Sequence, residues 1–255
     1  MQIYKALITD LDGTVVELSS DGHDVSDIAR MAVKRAQDSG SKIACATGRR
    51  WSFAKPVIEK LGITGPCIVE GGTRIIESST EETLWEKHLD PSSLSVILEI
   101  FKSKTSQGKI STFQNLPSAL QSVTSVPDDA RFMYLLGLYP DIAADICNAI
   151  NGNGYAVAHM TPSWSGGNKM DVHVTHPEAT KEHAVQVWQQ LEGVTKAETI
   201  GMGDSGNDIP LFESVGLSVA VGNATPELKQ LADYIAPAQN QEALAHIIDR
   251  YLISN

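Results

Sequence analysis

Two aspartates near the start of the chain, Asp10 and Asp12, are its strongest chemical signal. They lie two residues apart at the end of a short apolar segment that predicts a strand, so their side chains project to the same side. Gly13 follows and permits a tight turn that brings the backbone close to a ligand. Two carboxylates this close repel each other, and the pair therefore requires a metal ion or a shared proton. An isolated Asp-x-Asp pair is an ordinary solvated acidic turn, but the apolar strand before it and Gly13-Thr14 after it favour a functional site.

A second acidic loop contains Asp204, Asn207 and Asp208 and follows another predicted strand at residues 198–200. If both strands belong to one parallel sheet, Asp204 reaches a metal at the same edge as Asp10. Hard carboxylate oxygens of this kind suit Mg²⁺.

The same loop matches the glycine spacing of dinucleotide-binding turns, as Gly201-x-Gly203-x-x-Gly206. In such a turn Asp204 would face the pyrophosphate, where backbone amides and not an acid are required. The match also lies late in the chain, so the sequence does not predict a nucleotide cofactor.

Two further segments gain meaning from their positions. The segment Ala46-Thr47-Gly48-Arg49 ends the second predicted strand, so we expect the hydroxyl of Thr47 to bind a phosphate oxygen at the same sheet edge. Lys181 begins a predicted helix and can supply the positive charge that a transferring phosphoryl group requires. Taken alone, the first is an ordinary strand-to-helix turn and the second an ordinary solvated lysine.

The elements that position these residues alternate between strands and helices, which predicts a parallel sheet covered by helices. The first predicted helix begins at Ser26 or Asp27 and has an apolar face made of Ile28, Met31, Ala32 and Ala36. The alternation is interrupted at residues 82–178, which predict a second compact unit of ordinary domain size. Predicted strands of the first unit are 3–8, 42–46, 66–69, 198–200 and 217–221; those of the second are 132–138, 155–160 and 170–174.

Composition narrows the class of protein. The 255 residues include 31 acidic and 20 basic side chains, a net charge of -11 that argues against binding nucleic acid or an anionic membrane. No apolar stretch approaches the ~20 residues of a membrane-spanning helix. The three cysteines are widely spaced and lack a C-x-x-C motif, and Cys45 and Cys67 lie in predicted strands, which predicts buried free thiols. We therefore expect a soluble, cytoplasmic protein.

In this order, the segments around Asp10, Thr47, Lys181 and Asp204 resemble the motifs of the haloacid dehalogenase (HAD) superfamily. The resemblance covers essentially the whole chain and is most similar to the Cof-like phosphatases of subfamily IIB. It implies an α/β fold with a HAD-like Rossmannoid parallel-sheet core, residues 1–81 and 179–255. Residues 82–178 would form an inserted α+β C2-type cap domain that selects the substrate. The chain departs from the family at Gly71-Gly72, where Asn-Gly is frequent, and at Lys181-Glu182, where Lys-Gly is frequent.

The resemblance also implies a mechanism and a cofactor. Asp10 would be the nucleophile, and Asp12 would protonate the leaving alcohol and then deprotonate the attacking water. The cofactor would be Mg²⁺, and the partner a small phosphorylated metabolite such as a sugar phosphate. The implied residue sets are Asp10, Asp12, Thr47 and Lys181 for catalysis; Thr47, Gly48, Arg49, Lys181 and Asn207 for substrate binding; and Asp10, Asp12, Asp204 and Asp208 for the metal.

Two other functions stay open at this level. A phosphosugar mutase or other phosphotransferase on the same fold would use a sugar hydroxyl in place of water. A receiver-like regulator also pairs acids, a threonine and a lysine around magnesium, but such regulators lack an insertion of this size. The sequence names neither the physiological substrate nor the oligomeric state.

Overall fold

The computed structural model describes residues 4–17, 24–112, 117–163 and 166–253. The chain divides into two compact units, one made of Met1–Trp85 with Lys181–Asn255 and the other of Glu86–Thr180. The insertion predicted at residues 82–178 overlaps the second unit, and its role in substrate selection stays a prediction.

The strands and helices alternate along much of the chain. The strands are β1 (Ala6–Thr9), β2 (Lys42–Cys45), β3 (Pro66–Val69), β4 (Arg74–Glu77), β5 (Thr83–Glu86), β6 (Lys109–Thr112), β7 (Ser118–Ala119), β8 (Phe132–Leu138), β9 (Val157–Pro162), β10 (Met170–Thr175), β11 (Thr199–Gly203), β12 (Leu217–Ala220) and β13 (Tyr234–Ile235). The helices are α1 (Asp27–Asp38), α2 (Trp51–Leu61), α3 (Pro91–Lys104), α4 (Pro140–Asn151), α5 (Lys181–Glu192), α6 (Ile209–Glu213), α7 (Pro226–Leu231) and α8 (Ala243–Tyr251).

The first unit is built on a parallel sheet with the strand order β13-β12-β11-β1-β2. All four residues of β1 are buried, as expected for a central strand with helices on both faces. A bridge between Ala46 and Ile68 links the end of β2 to β3, which pairs antiparallel with β4. The prediction of an α/β fold with a parallel sheet is confirmed. Since β1 lies between β2 and β11, the loops that follow these three strands meet at one edge.

Two apolar layers hold this sheet in place. One face buries Leu7, Cys45 and Met202 in a core shared with the helices α1, α2 and α8. The other face packs Ile8 and neighbouring residues against α5, whose Trp188 donates a hydrogen bond to the carbonyl of Pro66 at 2.8 Å. Cys45 and Cys67 are free and buried, as predicted from their strands, and Cys147 is free and buried as well.

Helix α1 begins where the sequence predicts, because the side chain of Ser26 accepts a hydrogen bond from the amide of Ala29 at 3.0 Å. Its predicted apolar face is wrong in part. Ile28 and Met31 are more than half exposed, and the buried residues are Ala29, Ala32, Val33 and Ala36. The small residues form the buried stripe, which lets the helix lie close to the sheet.

The second unit is an antiparallel sheet with the order β7-β6-β8-β10-β9. Helices α3 and α4 share an apolar core with one face of it, including Phe101, Ile146 and Val172. The predicted strand at 132–138 matches β8, whereas β9 begins two residues later than predicted, after a turn in which Gly154 has φ 71°. Among the described residues, no helix has both the length and the apolar character needed to cross a membrane.

Candidate active site

The loops after β1 and β11 bring three aspartates together at the carboxyl edge of the first unit's sheet. Asp10 directly follows β1, and its amide donates to the carbonyl of Met202 on β11 at 2.8 Å. One carboxylate oxygen from each of Asp10, Asp204 and Asp208 lies within 4.8 Å of the other two. Residues that are almost 200 positions apart in the chain thus form one acidic cluster.

Gly13 permits the close approach of the two acidic loops. It has φ 75°, and a Cβ atom at this position would lie 2.5 Å from Oδ2 of Asp204. The hydroxyl of Thr14 donates to Oδ1 of Asp204 at 3.5 Å. Any side chain at position 13 would therefore displace the Asp204 carboxylate.

Lys181 lies inside the acidic cluster. Its Nζ donates to Oδ1 of Asp10 at 3.1 Å and to Oδ1 of Asp208 at 2.7 Å, and its side chain is 6% exposed. Burial alone would lower the pKa of Lys181, but the carboxylates of Asp208 and Asp10 outweigh it and raise the pKa above its ordinary value. The lysine therefore stays protonated and gives the cluster a fixed positive charge.

Asp208 is fully buried and organises the loop around it. Its Oδ2 accepts hydrogen bonds from the amides of Asp204 at 3.0 Å and Ser205 at 3.2 Å, while Oδ1 accepts from Lys181. A Cβ atom on Gly203 would lie 2.5 Å from the Asp208 side chain, which explains the glycine at that position. Of the three glycines in the dinucleotide-like spacing, Gly203 thus makes room for an acid, whereas a Cβ on Gly201 would meet the side chains of Val215 and Leu211.

Asp12 is paired with Arg49. Nε of Arg49 donates to Oδ2 of Asp12 at 2.8 Å, and Nη2 donates to Oδ1 at 2.5 Å. The guanidinium is buried, and its planar fork engages both oxygens of one carboxylate. Arg49, predicted as a substrate contact, is bound in this structure by the other member of the Asp-x-Asp pair.

The remaining predicted residues surround this cluster in different ways. Thr47 is fully buried, and its hydroxyl accepts a hydrogen bond from the amide of Arg49 at 3.1 Å, which leaves the hydroxyl proton available to an acceptor such as a phosphate oxygen. Gly48 is exposed, and a Cβ there would meet nothing within 4 Å. Asn207 accepts a hydrogen bond from the hydroxyl of Ser205 within its own loop.

Asn223, which the sequence analysis did not identify, lies in the loop after β12 and forms a hydrogen bond with the first acidic loop. Its Nδ2 donates to the carbonyl of Gly13 at 2.7 Å, and its Oδ1 accepts from the amide of Gln239 at 2.7 Å. The signal in the sequence is weak: an apolar strand runs into a small polar turn at the edge that already carries Asp10 and Asp204.

The cluster carries more negative than positive charge. Burial raises the pKa of Asp204 to about 6, and the Asp208 carboxylate adds to the rise. Burial also raises the pKa of Asp10, opposed by Lys181 and reinforced by Asp208. Buried carboxylate oxygens with surplus negative charge are the donor set that a hard divalent cation prefers, so the residues present fit Mg²⁺.

Comparisons with known proteins point to one family. The family model described as haloacid dehalogenase-like hydrolase matches residues 7–123 and 140–248. The putative phosphatase YxeH of Bacillus subtilis is 25% identical, with 99% of this chain and 100% of that protein covered. Phosphoglycolate phosphatase 1 of Saccharolobus solfataricus is also 25% identical, with 98% and 96% covered. A solved structure titled as a HAD subclass IIB sugar phosphatase superimposes with a TM-score of 0.75 at 18% identity, with 97% of this chain and 98% of that chain covered.

Proposed function

Because the chain belongs to the haloacid dehalogenase-like hydrolase family, in which it is a Cof-like phosphoric monoester hydrolase, we propose that it hydrolyses small phosphate monoesters with Mg²⁺ through an aspartyl-phosphate on Asp10. The observation that carries the proposal is the contact of Lys181 with Asp10 in a buried cluster that also contains Asp204. This set supplies a nucleophile, a fixed cation and a metal ligand at one point.

In the first step, a carboxylate oxygen of Asp10 attacks phosphorus and the ester oxygen leaves. Asp12 gives its proton to that oxygen, so the leaving group departs as a neutral alcohol. Lys181 fixes the Asp10 carboxylate and offsets the repulsion between it and the anionic phosphate. The hydroxyl of Thr47 donates to a phosphoryl oxygen and helps to hold the group in line.

In the second step, Asp12 takes a proton from a water molecule, and the hydroxide oxygen attacks the phosphorus bound to Asp10. The acyl phosphate bond breaks, inorganic phosphate is released, and the Asp10 carboxylate is regenerated. Asp208 keeps Lys181 and the amides of its loop in place through both steps.

The residues that would hold Mg²⁺ are Asp10, Asp204 and the backbone carbonyl of Asp12, with Asp208 supporting them through the loop. When bound, the ion neutralises the charge that accumulates between the carboxylates and the phosphoryl oxygens. The raised pKa values of Asp10 and Asp204, which are caused first by burial and then by their acidic neighbours, support the proposal of a bound cation at this point.

The substrate is a small phosphorylated metabolite, and we propose a phosphorylated sugar or a related hydroxy acid. Support comes from the names of the similar proteins, among them a phosphoglycolate phosphatase and a sugar phosphatase. Three buried free thiols are consistent with a reducing compartment, and we propose the cytoplasm as the location.

A phosphate-release screen tests the proposal. Phosphoglycolate, hexose phosphates and pentose phosphates are incubated with the protein and Mg²⁺, with and without excess EDTA. We expect release of inorganic phosphate from at least one ester, loss of the activity with EDTA, and its recovery when Mg²⁺ is added back. Rapid acid quenching with a ³²P-labelled substrate should trap the label on the protein. Isomerisation of the ester without phosphate release would instead identify a mutase, and a stable phosphoprotein without turnover would identify a regulator.

A further inference from the structure

The ion pair between the Arg49 guanidinium and the Asp12 carboxylate suggests a role for Arg49 in the reaction, and this inference rests on the proposed function. We infer that Arg49 is a positioning residue for proton transfer, which holds the Asp12 carboxylate in the orientation from which it exchanges protons with the leaving alcohol and with water. Arg49 itself touches neither reacting atom in this role.

The geometry of the pair leaves Asp12 able to work. The fork of Nε and Nη2 occupies one lone pair on each carboxylate oxygen, at 2.8 Å and 2.5 Å. A carboxylate has about four lone-pair sites, so two remain for a proton. The two-point contact fixes the plane of the carboxylate, which a single hydrogen bond or a lysine would not do.

Arg49 is itself anchored to the site. Its amide donates to the hydroxyl oxygen of Thr47 at 3.1 Å, and its carbonyl accepts from the amide of Glu70 at 2.9 Å. Nη1 also donates to the carbonyl of Phe53, in the first turn of α2, at 3.4 Å. The orientation of Asp12 is thereby tied to the strand end that carries Thr47, the predicted phosphate contact.

The burial of this ion pair indicates that it orients the Asp12 carboxylate rather than stabilises the fold. The side chains of Arg49 and Asp12 are 6% and 19% exposed, whereas the pair of Arg35 and Asp249 on α1 and α8 is 46% and 55% exposed. A buried ion pair loses hydration that its mutual attraction does not reliably restore, and apolar residues of similar size often replace it without loss of stability. A costly pair beside the nucleophile is consistent with a role in the reaction.

The test measures how kcat/KM depends on the leaving alcohol, because a good leaving group needs no proton from Asp12. Aryl and alkyl phosphates of graded leaving-group acidity are hydrolysed by the wild type and by Arg49→Met. General acid catalysis contributes about 10²–10⁴-fold. We therefore expect Arg49→Met to reduce kcat/KM by about 100-fold for an alkyl phosphate and less than about 3-fold for 2,4-dinitrophenyl phosphate.

Three further variants make the result interpretable. Asp12→Asn shows how kcat/KM depends on the leaving group when the general acid is absent. The double variant Arg49→Met/Asp12→Asn should have the same kcat/KM as Asp12→Asn alone, since Arg49 acts through Asp12. Arg49→Lys keeps the charge without the fork and should recover only part of the alkyl phosphate activity; it also serves if Arg49→Met does not fold. Arg35→Ala, which removes a guanidinium from the exposed pair, should leave the dependence unchanged.

Each other outcome overturns the inference. An equal loss for all leaving groups would make Arg49 a structural residue, and a rise in KM alone would make it a substrate contact. Additive losses in the double variant would show that it acts independently of Asp12. The proposed function fails separately, if Asp12→Asn has no effect on the leaving-group dependence of the enzyme.

Discussion

Two regions of the chain bury titratable side chains and treat them in opposite ways. At the carboxyl edge of the first unit's sheet, Asp10, Asp208 and Lys181 are at most 6% exposed, and Lys181 donates to Asp10 at 3.1 Å and to Asp208 at 2.7 Å. On the sheet of the second unit, His173 is 1% exposed, and its Nε2 has no hydrogen-bond partner within the part of the chain that the structure describes. The histidine ring stacks on Tyr134 with the ring centroids 4.2 Å apart.

Burial has different consequences in the two regions. Burial holds the pKa of His173 well below its usual value, and the neighbouring His159 lowers it further, so the ring is neutral and packs like an aromatic side chain. In the acidic cluster burial raises the pKa of Asp10 and Asp204, and the charge of Lys181 opposes this rise. Several ionisable groups buried in mutual contact therefore mark the reactive region, whereas a single buried polar atom does not.

The largest expected effect comes from Asp10→Asn, which keeps the shape of the side chain and removes the nucleophile. We expect kcat to fall by at least about 10³-fold, because Asn does not form the acyl phosphate. The thermal unfolding temperature should not fall, since the substitution removes a buried charge whose desolvation, together with repulsion by neighbouring carboxylates, outweighs its attraction to Lys181. Substantial residual turnover, or loss of the folded state, would contradict the view that this region keeps its charge for reaction.

Lys181→Met tests whether the charges of the cluster depend on one another. Removal of the lysine leaves Asp10 and Asp208 buried without their cation, and we expect the free energy of unfolding to drop by about 3–5 kcal/mol. Activity should fall by about 10²–10³-fold, as for loss of a charge-stabilising donor. Urea unfolding and phosphate release measure the two effects.

The matched control for that change is Lys34→Met, which removes a lysine from an exposed pair with Asp38. Exposed pairs contribute about 0–1 kcal/mol, so this variant should unfold almost as the wild type does. Equal destabilisation by both substitutions would remove the distinction between buried and exposed charge.

A third prediction concerns the pH dependence of metal binding. Burial raises the pKa of Asp204 to about 6, so this carboxylate is protonated in the metal-free protein below that pH and competes with the ion. The apparent affinity for Mg²⁺ should fall as the pH drops through about 6, and protonation of Asp204 alone contributes up to about tenfold per pH unit below that value. Calorimetric titrations at pH 7.5, 6 and 5 measure this change. Unchanged affinity between pH 7.5 and 5 would show that Asp204 is not a ligand.

The sequence predicted the meeting point of this site because strand ends of a parallel sheet share one edge. Asp10, Thr47 and Asp204 each follow an apolar strand, and that pattern is visible along the chain. The pairing of Asp12 with Arg49 was not predictable, since it depends on how far an arginine side chain reaches across two loops. Asn223 was missed because its contact with the carbonyl of Gly13 also joins two loops that are far apart in the sequence.

The sequence patterns predicted the positions of the helices and strands better than the faces that these elements bury. The apolar period of α1 was correct, yet the helix turns its small residues inward and leaves Ile28 more than half exposed. Periodicity gives the spacing of a buried stripe, whereas its phase depends on which side chains fit against the neighbouring sheet. The backbone of Glu70 is also not visible in the sequence: its φ is 56°, uncommon for a residue other than glycine, and its amide donates to the carbonyl of Arg49 at 2.9 Å.

The smallest expected effect tests the other side of the comparison, the neutral histidine. The pKa of His173 lies below its unfolded value of about 6.5, so at lower pH the unfolded chain binds a proton that the folded chain does not, and stability falls as the pH drops through that value. Below that value this group should lower the free energy of unfolding with a slope of at most about 1.4 kcal/mol per pH unit. His173→Phe keeps a flat ring in the stack and removes the titrating group. The free energy of unfolding of the variant, measured in urea, should therefore fall less between pH 7.5 and pH 5.5 than that of the wild type. If both proteins lose the same stability over this range, His173 is not buried in its neutral form, and the contrast between the two regions disappears.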